Sequence, residues 1–155
     1  MKRRSPDPRY ARVSVDSMIF DDHIVPEQAA AVRRLVELED AGEILLVMPA
    51  SVKGELDHPN TSAAAKAAAI DHIYTIRIDP IPVAQVELAL RGNGEPGRHL
   101  KDATHIADAL SGGGGYFVTL DGRIRTRLAN FNDQLWIVTP VELLAAYDRH
   151  LSEET

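Results

Sequence analysis

Residues 101–124 read KDATHIADALSGGGGYFVTLDGRI, and this stretch decides the fold. Ala103, Ile106, Ala107 and Leu110 recur at helical spacing over 100–111, with Asp102 in the first turn, and the glycine run after Ser111 ends that helix. YFVTL, 116–120, is apolar and β-branched on both faces, as a strand covered on both sides must be. DGRIRTRLANF, 121–131, then reads as a short helix opened by Asp121. Helix, tight link, buried strand and helix make up the repeating unit of a parallel sheet with helices on its faces.

The same alternation extends in both directions. Towards the amino terminus, RVSVDSMIF (12–20) reads as a buried strand interrupted by Asp16. PEQAAAVRRLVELEDAG (26–42) reads as a helix of about four turns, from Pro26 to a stop at Gly42, with Ala29, Val32, Leu35 and Val36 on its apolar face. EILLVM (43–48) is a short strand, and PASVKGELDHPN (49–60) leaves about two turns of helix carrying Glu55. TSAAAKAAAIDHIY (61–74) is an alanine-rich helix with Thr61 as cap; TIRI (75–78) reads as a short strand, and VAQVELAL (83–90) as a helix following Pro80 and Pro82. RGNGEPGRH (91–99) is a loop. Towards the carboxyl terminus, LWIVT (135–139) is the last strand, and PVELLAAYDRHL (140–151) a final amphipathic helix from Pro140. The expected fold is α/β: a three-layer α/β/α sandwich around a mainly parallel central sheet. Residues 12–150 form its single domain, with a basic extension at 1–11, where nothing in the sequence demands order, and a tail at 151–155.

A chain of 155 residues is long enough to bury about 70% of the surface it would expose unfolded. With no cysteine, disulfides, thiolate metal sites and a cysteine nucleophile are all excluded, so any metal is held by oxygen or imidazole. No apolar run reaches the length of a membrane span and the amino terminus has no apolar signal core, so the expectation is a soluble, cytoplasmic protein with no membrane partner. Net charge is −6, yet the first twelve residues carry five basic side chains against Asp7, which leaves −10 on the remainder. Such a body is no general nucleic-acid binder, although an acidic nuclease remains compatible when its metal supplies the positive charge.

Asp16, Glu55, Asp102 and Asp121 stand where strands give way to helices or where helices open. In open parallel sheets these positions gather beyond the carboxyl ends of the strands. Each close pair of carboxylates would repel by about 4 kcal/mol at ~4 Å and an effective dielectric near 20, a cost most simply offset by divalent cations. Helix capping is the competing explanation, strongest for Asp102 and Asp121 and weakest for Asp16, which interrupts a strand.

In VSVDSMIF, MPASVKGELDHP, KDATHIADAL and YFVTLDGRI, taken together and in this order, the chain resembles the PIN domain, a metal-dependent nuclease fold found in many toxin ribonucleases of toxin–antitoxin pairs. The resemblance spans about residues 12–147 and is most specific in the last two stretches. Met18 departs from it, since the family often has asparagine at that place. The resemblance implies cleavage of RNA to a 5′ phosphate and a 3′ hydroxyl with Mg²⁺ or Mn²⁺. On it, Asp16, Asp102 and Asp121 are metal ligands, Asp121 directly or through water, and Glu55 orients a metal-bound water. It also implies docking of an antitoxin protein or of a second protomer, as a homodimer, near the alanine-rich helix.

Neighbouring side chains are candidates for support. Thr119 shares one side of its strand with Asp121 and Ser17 adjoins Asp16; either hydroxyl could orient a ligand or simply complete the fold. His105, three residues after Asp102, fits a phosphate contact less well than a buried, hydrogen-bonded histidine, and Asp108 turns away from the Asp102 face. Arg123, Arg125 and Arg127, with Arg98 and Lys101, could grip a phosphate backbone, although alternating arginines on a short helix cannot all face one way. The competing function is a noncatalytic PIN-like module binding RNA or protein. A receiver-like signalling domain and a dinucleotide-binding domain both rank low: EILLVMPAS and LWIVTPVE lack the phosphoacceptor and lysine of the first, and the strand-to-helix turns lack the glycine fingerprint of the second.

Overall fold

The structure is a computed structural model, and it describes residues 5–20, 24–49, 73–74, 80–92, 94, 100–111, 115–128 and 135–154. Five strands are described: β1 (Val13–Val15), β2 (Leu46–Pro49), β3 (Ile73–Tyr74), β4 (Gly115–Val118) and β5 (Leu135–Val138). The five described helices are α1 (Pro26–Asp40), α2 (Pro80–Arg91), α3 (Leu100–Ser111), α4 (Gly122–Arg127) and α5 (Pro140–Ser152). The strands lie in the order β3-β2-β1-β4-β5, and every pairing is parallel.

The chain moves one way along the sheet from β1 and the opposite way from β4, so right-handed crossovers put α1 and α4 on opposite faces. The core bears this out. Val13, Val15, Tyr116 and Val118 pack with Leu35 of α1 and Leu143 of α5, whereas Phe117 packs with Val86 of α2, Ala103 and Ile106 of α3, and Ile124 of α4. Adjacent residues of β4 thus feed different cores, the period-two alternation of a strand buried on both faces. Two cores flanking one parallel sheet give the layering of an α/β/α sandwich.

Several boundaries differ from those read in the sequence. The first strand is short: Val13–Val15 is followed by a 3-10 turn, Ser17–Phe20, and Asp16 lies between them. Ile73 and Tyr74, expected at the end of the alanine-rich helix, form β3, pairing with Met48 and Pro49 of β2. Pro80 and Pro82 fall inside the first turn of α2, where the missing N–H costs nothing. The fourth glycine of the run, Gly115, is the first residue of β4. On α1 the buried face is Ala31, Val32, Leu35 and Leu38, rotated slightly from the expected set. The helix around Glu55, most of the alanine-rich helix, and TIRI lie outside the described residues.

Residues 5–11 are laid against the domain. Tyr116 donates its hydroxyl proton to the Pro6 carbonyl at 2.5 Å, and the Arg9 guanidinium donates to Glu154, just past α5, at 2.9 Å. Two helix ends show how the chain is punctuated. Thr139 and Glu142 form a reciprocal capping box on α5, and Gln28 on α1 accepts from the Val141 N–H at 3.1 Å, tying the two helices of that layer. At the far end of α1, Gly42 takes a φ of +78°, so that its N–H and that of Glu43 reach back to the carbonyls of Glu39 and Leu38. Among the described residues no helix is long and apolar enough to cross a membrane.

Candidate functional site

The strand order reverses between β1 and β4, and the crevice beyond their carboxyl ends is where an open parallel sheet binds ligands. Asp16 follows β1 at that edge. Its N–H still donates to the Val118 carbonyl at 2.9 Å, so the ladder continues one residue past the strand and fixes the direction of its side chain. By period-two alternation, Asp16 faces the same side as Ser14, towards the layer of α2, α3 and α4.

Thr119, fully buried, lies alongside, one residue past the end of the neighbouring β4. Its hydroxyl donates to Asp16 Oδ2 at 3.1 Å and accepts from the Asp121 N–H, also at 3.1 Å. One hydroxyl therefore uses its proton on one acid and a lone pair on the backbone of the other. Asp16 Oδ1 accepts from the Met18 N–H at 3.3 Å, closing the turn after β1.

Asp121 is the N-cap of α4. Its Oδ1 accepts from the N–H groups of Arg123 and Ile124 at 2.9 and 3.3 Å, while Oδ2 stands 3.9 Å from the Arg123 guanidinium. The capping role is thus realised at this residue through Oδ1. Asp102 lies in the first turn of α3, partly buried. Three residues separate the end of α3 from the start of β4. His105, one turn further on, is only 3% exposed and belongs to the interior.

The arginines of α4 separate as their spacing requires. Arg123 faces Asp121, Arg125 pairs with Glu142 of α5 at 3.7 Å, and Arg127 donates to the Leu90 carbonyl at the end of α2 at 2.5 Å. Of these three arginines, Arg123 is the one beside Asp121. Glu55 and Arg98, and the side chains of Ser17, Lys101 and Asp108, lie outside the described residues. Among the described residues, no group of three or more histidine, aspartate or glutamate side chains is gathered closely enough to hold a metal ion. What the described residues bring together is a pair of acids, Asp16 and Asp121, joined through Thr119.

Ser14 went unnoticed in the sequence. It is 1% exposed, lies two residues before Asp16 on the same face, and its Oγ has no hydrogen-bond partner among the described residues. The alternation V-S-V-D carried the signal, because both polar residues of the strand fall on one side. Comparison with protein-family models, with curated proteins and with solved structures finds no match to this chain.

Proposed function

We propose that this protein is a metal-dependent endoribonuclease of the PIN type, hydrolysing RNA phosphodiester bonds as the toxin of a type II toxin–antitoxin pair. The observation that carries the reading is the Asp16–Thr119–Asp121 link at the reversal of strand order, where one threonine hydroxyl donates to the Asp16 carboxylate and accepts from the backbone N–H of Asp121. Asp16 and Asp121 are hard oxygen donors, and magnesium is commonly held by one or two carboxylates completed by water and substrate phosphate. Asp102 is the third proposed ligand of Mg²⁺ or Mn²⁺. A cation held by these residues would acidify a water and neutralise charge growing on the phosphoryl oxygens.

The chain's own residues have distinct parts in this reading. Thr119 holds Asp16 by donating to one carboxylate oxygen, and the two N–H groups at the start of α4 hold Asp121. Glu55 is assigned the positioning of the attacking water. Arg123, half-exposed beside Asp121, is placed to meet a phosphate by fork geometry. RNA is the proposed substrate, an antitoxin protein and a second copy of the chain the proposed partners, and the cytoplasm the proposed location.

A noncatalytic PIN-like module is the second reading, favoured by the use of Asp121 Oδ1 as a helix cap. Purified protein and Asp102→Asn, incubated with a structured RNA pool in Mg²⁺, Mn²⁺ or chelator, separate the two. Metal-dependent cuts with 5′ phosphate ends, lost in the variant, are expected of the nuclease. RNA retention without cleavage under every condition would identify the module.

A further inference from the structure

Residues 5–11 are held to the domain chiefly through side chains. Within the segment, the N–H groups of Tyr10 and Ala11 both donate to the Asp7 carbonyl at 3.0 Å, and Asp7 Oδ1 accepts from the Arg9 N–H at 3.0 Å, so the turn closes on itself. Backbone pairing with the sheet begins only at Arg12, whose carbonyl accepts from the Tyr116 N–H at 2.8 Å. Ahead of that point the ties are the Tyr116 hydroxyl on the Pro6 carbonyl, His150 Nε2 at 3.0 Å from the Ser5 carbonyl, and Arg149 on Ser5 Oγ. A further tie is the Arg9 guanidinium, which spans Asp7 Oδ2 at 2.7 Å and Glu154 Oε1 at 2.5 Å. Pro8 is buried and Ala11 packs on the core, adding a modest apolar anchor.

We propose that Ser5–Ala11 is a releasable strap, latched by Arg9 between Asp7 and Glu154, which opens as a unit with the sheet intact. No strand pairing has to break for it to leave. The latch is an ion pair whose Glu154 side chain is 53% exposed, the kind of contact that salt weakens. Opening frees the Tyr116 hydroxyl, Arg149 and His150 at the end of α5, and it returns Arg9 to the basic amino-terminal segment. Segments of this sort, poor in backbone ties and near a terminus, open far below the free energy of global unfolding.

Arg9 also reports on the latch. Trypsin must draw its guanidinium into a binding pocket, so the Arg9–Tyr10 bond is cut only when the strap is open, and the rate follows the open population when reclosing is fast. The experiment measures that cut in the full-length protein, in Glu154→Ala, and in a peptide of residues 1–15. At low salt the expected rate in the protein is well below that in the peptide. Glu154→Ala, or 0.5 M NaCl added to the wild type, raises it about threefold to fivefold relative to the peptide under the same conditions, while the fragment beginning at Tyr10 resists. Cleavage as fast as in the peptide, indifference to both Glu154→Ala and salt, or cutting of the strap only in step with digestion of the whole domain would overturn the proposal.

Discussion

Thr119 is the residue on which the proposed site turns, because a single buried hydroxyl serves two acids. Thr119→Val keeps the shape but removes the hydroxyl that accepts from the Asp121 N–H and donates to Asp16 Oδ2. The expected loss is about 1–3 kcal/mol in denaturant unfolding, with Thr119→Ser recovering most of it. Asp121 allows its two roles to be separated. Asp121→Asn retains a cap oxygen and should unfold within about 0.5 kcal/mol of wild type, whereas Asp121→Ala should lose about 1 kcal/mol. If Asp121 is a metal ligand, both variants lose RNA cleavage, and the stable Asp121→Asn shows that the loss is not one of folding. Full cleavage by Asp121→Asn would reduce the residue to a cap. The position of this acid was legible in the sequence; its partner in Thr119 was legible only as a side-chain neighbour, since the bond to Asp16 joins residues 103 apart.

At the scale of elements, two glycines with positive φ do different work. Gly42, at +78°, has open space where a Cβ would go, so Gly42→Ala should cost only the left-handed conformation, about 1 kcal/mol. Gly115, at +95°, lies against the chain entering β1: a Cβ there would stand 2.3 Å from the Arg12 carbonyl oxygen, which backbone cannot yield cheaply. Gly115→Ala should therefore destabilise by about 3 kcal/mol or fail to fold, and the comparison of the two unfolding midpoints tests both accounts. Four consecutive glycines read simply as a helix stop. That the last of them starts a strand follows from the close approach of β1, a contact between segments about a hundred residues apart.

For the whole molecule, the strap adds a pH dependence. Hydrogen bonds from Arg9 hold the carboxyl groups of Asp7 and Glu154 below their ordinary range. Their contribution is complete above the unfolded carboxyl pKa of about 4 and is lost as pH falls through the lowered folded values. Among the described residues, Arg149 and the titratable His150, 3.8 Å from Glu153, also face the Ser5 end. Hydrogen exchange should show the amides of Tyr10 and Ala11 losing protection as pH falls below about 4, ahead of those in β1 and β4. Simultaneous loss in strap and strands would mean that the segment unfolds only with the domain.

The sequence by itself determined the alternation of strands and helices, the parallel sheet with two covered faces, and the places of Asp16, Asp102 and Asp121 along the chain. These follow from local patterns: apolar periodicity, proline and glycine punctuation, and acids at element ends. Tertiary structure alone decided which strands are neighbours, that Asp16 and Asp121 meet through Thr119, that Ile73 and Tyr74 join the sheet, and that the amino-terminal segment docks on α5. Each of those outcomes rests on hydrogen bonds or packing between residues distant in sequence, where no local pattern records the partner.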